Sequence, residues 1–156
     1  MDIKKLEQYI DTYSQISQSI MNSMYIIQKD NFRNSIITPD QFNLMNVIKT
    51  NDACTSSFLA KALNVKKSSI TAIVNRLADK GLINRVFDEK DRRVVFLELT
   101  DEGQDVLNEK RGKLINKLMP LGYDLTEEEL DKLMVNLSLI AAQLKSIEKE
   151  VIKDEE

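Results

Sequence analysis

The chain has 156 residues, of which 42% are hydrophobic and 30% are charged, a composition that suits a single globular domain. It contains no histidine and one cysteine, which excludes Ser-His and Cys-His catalytic pairs and an internal disulfide. Its four glycines form no phosphate-binding loop, and no apolar run reaches the roughly 18 residues that a membrane span needs. We therefore expect a cytoplasmic protein outside the membrane that is not an enzyme and carries no metal or cofactor.

Both ends of the chain show apolar residues at helical spacing. Steps of three and four residues run through segment 2–29 and again from residue 130 to Val151, after a capping-box pattern formed by Thr126 and Glu129. Stripes this long exceed what a small domain covers, which predicts dimerisation helices over 2–30 and 101–151. An intramolecular helical bundle is the alternative. The residues expected at the dimer interface are Ile3, Leu6, Ile10, Leu130, Leu133, Leu137, Ile140, Leu144 and Ile147.

Residues 38–100 are predicted to form a second lobe, so that residues 1–156 make one domain of two lobes. Thr38-Pro39-Asp40-Gln41 has the pattern of a helix start with Thr38 as its N-cap. Thr55 or Ser56 is expected to cap the next, shorter helix. That helix is expected to bury Phe58, Leu59 and Leu63.

In the following helix, apolar and small polar residues separate onto opposite faces. Ile70, Ile73, Val74 and Leu77 share one arc at about 100° per residue. The opposite face is small enough to approach the major groove of DNA, which is only about 12 Å wide, although plain solvent exposure is the alternative. The residues expected to face DNA are Lys67, Ser68, Ser69, Thr71, Ala72, Asn75 and Arg76.

A short β-hairpin is predicted after this helix. Gly81 ends the helix, and segments 82–87 and 94–99 have high β-propensity. Between them lies a polar loop, and a cationic tip there could enter an adjacent minor groove, with Asp91 holding Arg93 by a local salt bridge. Two unpaired surface charges are the alternative. The wing residues expected at DNA are Lys90, Asp91, Arg92 and Arg93.

The distribution of charge agrees with this interpretation. The net charge is −3, yet residues 55–97 hold nine basic residues against four acidic ones. Because salt screens charges beyond roughly 8–10 Å, DNA would meet this local basic surface and not the global sum. The sequence thus predicts a mainly α-helical winged helix-turn-helix protein with a small β-hairpin that binds double-stranded DNA. The alternative is a winged-helix adaptor that binds another protein, and an enzyme is the third choice.

The order and spacing of these motifs resemble the MarR (multiple-antibiotic-resistance regulator) family of transcription factors. The resemblance rests on Leu59-Ala60, Gly81-Leu82-Ile83, Asp91-Arg92-Arg93, and Leu99-Thr100 followed by Gly103. It implies a homodimeric repressor with a pocket for a small-molecule effector near the joint of the two lobes, and two-fold symmetry then predicts a pseudo-palindromic operator. By the same resemblance, Asp91 and Arg93 match the salt bridge of the family's wing and its minor-groove arginine.

Two positions depart from the family pattern. Ala72 stands where many members have an arginine, and Lys66 stands where a small capping residue is common. Cys54 precedes a helix start, which favours a thiolate, but a plain small residue is the preferred interpretation. A further group near the first joint either lines an effector pocket or belongs to the core: Met21, Met24, Tyr25, Phe32, Phe42 and Met45.

Overall fold

The computed structural model describes residues 2–154, with the side chains of residues 2–148 and 150. The chain is mainly helical with one antiparallel two-stranded sheet, which confirms the predicted fold class. The elements are α1 (Ile3–Asn31), α2 (Pro39–Lys49), α3 (Ser56–Ala62), α4 (Lys67–Asp79), β1 (Ile83–Phe87), β2 (Val95–Leu99), α5 (Asp101–Leu118), α6 (Leu121–Asp124) and α7 (Glu127–Asp154). No helix among them is both long and apolar enough to cross a lipid bilayer.

Two compact units make up the chain, Met1–Ile115 and Asn116–Glu156. The first unit holds α1 to β2 and most of α5, and the second holds α6 and α7. The hydrophobic core lies in the first unit, where α2, α3, α4, the hairpin and α5 meet. Its buried apolar residues are Ile37, Phe42, Leu44, Met45, Ile48, Cys54, Leu59, Ile70, Val74, Leu77, Leu82, Ile83, Leu97 and Leu107.

Helix α2 begins as its sequence predicts. The Thr38 hydroxyl accepts a hydrogen bond from the Gln41 backbone N–H, and the Gln41 side chain accepts one from the Thr38 N–H, which completes a capping box. Phe42 turns towards the end of α1, where its ring packs edge-on against Phe32 with 5.2 Å between ring centroids. At the far end of α2, Lys49 is the last helical residue.

Helices α3 and α4 form the helix-turn-helix. Thr55 caps α3 by accepting a hydrogen bond from the Phe58 N–H, and Asn64 in the turn adopts a left-handed conformation with φ of 51°. The expected burial of Phe58 is wrong, because its side chain is 40% exposed. Leu59 is buried, and Leu63, the C-cap residue four positions later, is half-buried on the same side, whereas Phe58 lies about 100° away around this seven-residue helix.

The hairpin that follows α4 is anchored at its base. Gly81 takes φ of 70°, and its carbonyl accepts a hydrogen bond from the Thr100 hydroxyl at 2.7 Å. Strands β1 and β2 pair with Ile83 opposite Leu99 and Arg85 opposite Leu97. The Leu97 N–H donates to the carbonyl of Cys54 at 2.8 Å, which fastens the hairpin to the segment before α3. A two-stranded hairpin is marginal alone, and these contacts supply its support.

The two terminal helices carry the predicted apolar stripes. Helix α1 is 29 residues long and α7 is 28 residues long. The Thr126–Glu129 capping box at the start of α7 is present, with the Thr126 N–H donating to Glu129 at 2.8 Å. Nearly all apolar side chains of both helices are exposed. The Lys/Glu-rich composition of the tail after Val151 predicts fraying, and the side chains of Val151 and of this tail lie outside the described side chains.

The end of α1 is fixed to α5 by a buried polar contact. The Asn31 side-chain amide donates to the backbone carbonyl of Lys110 at 3.3 Å, and both residues are buried. Lys110 Nζ lies 3.8 Å from Oε1 of Glu109, which also forms a salt bridge with Lys113. A buried amide N–H that lacks an acceptor destabilises the fold. This hydrogen bond therefore favours one orientation of the end of α1 about its axis relative to α5.

Candidate nucleic-acid interface

The outer face of α4 is exposed along its full length. Ile70, Val74 and Leu77 are buried on the inner face, and Ile73 is half-buried beside them, which confirms the predicted division of the helix. Every residue expected to face DNA is exposed, namely Lys67, Ser68, Ser69, Thr71, Ala72, Asn75 and Arg76. The outer face therefore carries mostly short side chains, and its polar groups can donate or accept hydrogen bonds at base edges.

The N-terminus of α4 carries positive charge where a helix normally favours negative charge. Lys66 occupies the N-cap without a side-chain capping bond, Lys67 follows it, and the first turn has no acidic residue. The helix dipole opposes such cations by about 0.3–1 kcal/mol each at exposed sites. A phosphate group at this end would reverse the balance, because it would neutralise the lysines and accept hydrogen bonds from the free backbone N–H groups.

The tip of the hairpin is built by two aspartates. Asp88 accepts hydrogen bonds from the backbone N–H groups of Lys90 at 2.9 Å and Asp91 at 2.7 Å. Its own N–H donates to the Val94 carbonyl at 3.0 Å, which closes the loop. This side-chain-to-backbone bonding is a common way for aspartate to set a turn. The loop thus has a defined shape before any ligand binds.

Asp91 then orients Arg93. One carboxylate oxygen accepts from the backbone N–H and from Nε of Arg93, both at 3.0 Å, and the other accepts from Nη2 at 3.0 Å. These hydrogen bonds lower the pKa of the Asp91 carboxyl and raise the pKa of the Arg93 guanidinium, so both groups stay charged near neutral pH. The Arg93 side chain remains 91% exposed. It is a cation that is held in one orientation and is still open to a partner.

A shallow recess connects the wing to the helix-turn-helix. It is lined by the hydroxyl residues at the start of α3, by Lys67 of α4 and by Arg93 with the start of β2. Hydroxyl groups beside two cations match the oxygens of a DNA backbone, which accept hydrogen bonds and carry negative charge. The full lining is Thr55, Ser56, Ser57, Lys67, Arg93, Val94 and Val95.

Two contacts at this surface were not foreseen from the sequence. Arg85 of β1 donates from Nη2 to the side-chain oxygen of Asn75 on the outer face of α4, which is the proposed recognition face. Lys80, at the C-terminal end of α4, donates to the Ile36 carbonyl and, at 3.2 Å, to the Gln41 side-chain oxygen. The alternation of side chains along β1 could have indicated the contact of Arg85. Arg85 lies two residues after the buried Ile83 and therefore shares its face of the strand. Nothing local predicts the Lys80 contact, which spans 44 residues.

The group of residues near the first joint divides between a cavity and the core. Tyr25 and Phe32 line a cavity between α1 and α2, together with Gln28, Lys29, Pro39 and Asp40. Phe42 and Met45 are buried in the core, whereas Met24 is half-buried and Met21 is exposed, so these two methionines belong to neither. Cys54 is also a core residue, and burial raises the pKa of its thiol. No group of potential metal ligands occurs in the part of the chain that the structure describes.

Comparison with known proteins agrees with this geometry. The model of the MarR family matches residues 37–95. The transcriptional regulator FarR of Neisseria gonorrhoeae is 31% identical over 113 residues, which cover 72% of this chain and 74% of FarR. The chain belongs to the MarR family. MarR-family proteins are DNA-binding transcriptional regulators, and members bind DNA as homodimers. The alternative of a protein-binding adaptor is thereby set aside.

Two further similar proteins illustrate the range of the similarity. The transcriptional repressor MdtR of Bacillus subtilis is 36% identical over 98 residues, which cover 60% of this chain and 61% of MdtR. The crystal structure of the transcriptional regulator BldR from Sulfolobus solfataricus superposes with a TM-score of 0.74 at 25% identity, covering 92% of this chain and 99% of that one. The family match at 37–95 includes every residue expected in the recognition helix and the wing.

Proposed function

We propose that this MarR-family regulator is a homodimeric, ligand-responsive repressor that reads a pseudo-palindromic operator. In each subunit α4 enters the major groove and the hairpin tip enters the adjacent minor groove. The observation that carries the proposal is the Asp91–Arg93 pair, which presents an arginine in a fixed orientation to solvent. An ion pair this exposed contributes little stability on its own, whereas a narrow minor groove attracts an arginine by its negative potential.

The exposed stripes of α1 and α7 support the homodimer. Apolar faces that run along helices of 29 and 28 residues are unstable in water unless another surface covers them. A second copy supplies an identical surface, and two-fold symmetry then repeats each recognition helix about one DNA turn away. Of the interface residues named from sequence, Leu130 is half-buried and the others are exposed: Ile3, Leu6, Ile10, Leu133, Leu137, Ile140, Leu144 and Ile147.

The cavity between α1 and α2 supports a small-molecule effector. It combines the aromatic rings of Tyr25 and Phe32 with the charged groups Lys29 and Asp40. Pockets that bind small molecules commonly have this mixture of apolar walls and a few polar groups. Repression is proposed because the relative MdtR is named a repressor. The proposal gives the protein no catalytic role and places its action in the cytoplasm, with the DNA that it binds.

Three single substitutions test how the proposed interface works. Genomic footprinting with the purified protein first supplies an operator. Affinity for that operator and for a scrambled duplex is then measured at several salt concentrations. Arg93→Ala should weaken operator binding sharply and flatten the slope of log K against log salt by about one unit, as expected for one lost cationic contact. Asp91→Ala should weaken binding less, because it frees the arginine without removing it.

The recognition helix gives a different result under the same proposal. Asn75→Ala should relax discrimination between operator and scrambled duplex by about 1–3 kcal/mol, with little change in the salt slope. Lys145→Ala is the control, since it removes one exposed positive charge from α7. It should leave both the discrimination between the duplexes and the salt slope unchanged. If Arg93→Ala binds the operator as tightly as the wild-type protein does, the proposed minor-groove contact is wrong. The proposed contact of α4 with DNA would then be tested by Asn75→Ala alone.

A further inference from the structure

The hydrogen bond between Arg85 and Asn75 joins the hairpin to the recognition face of α4. Arg85 lies on the same side of β1 as Ile83, the side that packs on the helices, and it is paired across the hairpin with the buried Leu97. Its guanidinium extends beyond that packed region and reaches Asn75. Both side chains are exposed. The contact therefore lies at the surface that DNA would cover.

The chemistry of the two groups fixes the orientation of the Asn75 amide. A guanidinium carries only donors, so it must face the amide oxygen, and the amide NH2 must then point the other way. Asn75 in this state offers two N–H donors to a ligand, and one of the two lone pairs of its oxygen is used by a cationic donor. Arg85 forms no salt bridge with any carboxylate in the described part of the chain, so its charge is not neutralised by an acidic neighbour.

We propose that Arg85 is a positioning residue that sets which base pair Asn75 prefers, an inference that rests on the proposed contact of Asn75 with DNA. A free asparagine pairs best with adenine, because adenine offers N7 as an acceptor and N6 as a donor. When Arg85 donates to the asparagine oxygen, that oxygen keeps one free lone pair, but the adjacent positive charge disfavours the N6 donor of adenine. Guanine offers two adjacent acceptors, N7 and O6, which suit both the amide N–H donors and that charge. The pair thus favours G·C over A·T.

The test begins with selection from a randomised duplex library by the full-length protein. The motif selected by Asn75→Ala is compared with that of the wild-type protein. The base pair in each half-site whose preference is lost is the one that Asn75 contacts. The wild-type protein should prefer G·C there by about tenfold, the size of one good base contact. Replacing that guanine with 7-deazaguanine, which lacks the N7 acceptor, should weaken the wild-type protein and leave Asn75→Ala unaffected.

Two variants of Arg85 separate positioning from simple charge. Arg85→Met keeps an apolar stem but has no donor, so the freed amide should lose its preference for G·C and shift towards A·T. Arg85→Lys retains a donor for the amide oxygen and should keep the wild-type preference. Urea unfolding of each variant confirms that it is folded.

Several results would overturn the inference. One is an Arg85→Met protein that binds all duplexes more weakly by the same factor, since Arg85 would then contact only phosphate. A second is a wild-type preference for A·T at the position of Asn75. A third is an Asn75→Ala protein that selects the wild-type motif unchanged, which would also remove the proposed base contact. Selection of no motif by the wild-type protein would instead refute the proposed operator-reading function itself.

Discussion

The close approach of α5 to the base of the hairpin makes Gly103 a sensitive position. Thr100 caps the first turn of α5 by accepting from the Gly103 N–H at 3.0 Å, and its own N–H donates to the Leu82 carbonyl at 3.2 Å. A Cβ atom on Gly103 would lie 2.0 Å from that Leu82 oxygen. The obstacle is backbone in the core, which a side-chain rotation cannot relieve. Gly103→Ala must therefore displace α5 from the hairpin.

The cost follows from that distance. Real Cβ atoms essentially never lie closer than 3.0 Å to such an atom, so the helix and the Leu82 carbonyl must separate by about 1 Å. Overpacking of this kind typically costs 1–3 kcal/mol, and a buried backbone obstacle places the expected loss in the free energy of unfolding near the upper end, at about 3 kcal/mol. Gly112 in the same helix is the control, because a Cβ there meets nothing within 4 Å. Gly112→Ala should stabilise the protein by about 0.5–1 kcal/mol.

Urea unfolding followed by circular dichroism measures both variants. With a slope of about 1–3 kcal/mol per molar urea, the midpoint of Gly103→Ala should fall by roughly 1–3 M while that of Gly112→Ala rises slightly. Protein concentration is held constant, because the stability of a dimer depends on it. A Gly103→Ala midpoint at or above that of the wild-type protein would show that α5 moves without cost. The stated role of the contact would then be wrong.

Two further predictions concern the dimer and the cysteine. Replacing Leu137 and Ile140 together by lysine should convert the dimer to monomer or unfolded chain in sedimentation, whereas Ser138→Lys on the polar side of α7 should leave it dimeric; a folded dimer of the double variant would locate the interface elsewhere. Because burial raises the pKa of the Cys54 thiol, native protein at pH 7 should react with a thiol reagent much more slowly than urea-unfolded protein, and the native rate should stay low until the pH exceeds the ordinary thiol range near 8.5. Equal rates in the two states would contradict that burial.

Features set by a few neighbouring residues were predictable from the sequence. The Thr38 and Thr126 capping boxes are examples, since their hydrogen bonds join residues three positions apart. The Asp91–Arg93 bridge spans two positions. Helical periodicity likewise separated the inner and outer faces of α4. In each case the geometry of one turn or one loop decides which groups meet, so neighbours in sequence suffice.

Contacts between distant elements could not be predicted in this way. The exposure of Phe58 depends on which face α3 turns to the core, and a seven-residue helix gives too little periodicity to fix it. The bond between Arg85 and Asn75 depends on how closely β1 packs on α4. The base pairs that α4 would contact remain a prediction. They depend on how the helix lies in the major groove, which a pattern of residues along the chain does not determine.

The link from Lys80 to the joint before α2 has a consequence for local unfolding. Lys80 is the C-cap residue of α4, and its side chain donates hydrogen bonds to the Ile36 carbonyl and to Gln41, a member of the capping box. Opening the start of α2 therefore breaks a contact of α4 as well, and the two segments share part of their opening free energy. In hydrogen exchange the amides around the joint should be protected as a group with the last turn of α4. The irregular segment before α2 thus belongs to the same cooperative unit as α4, the helix proposed to contact DNA.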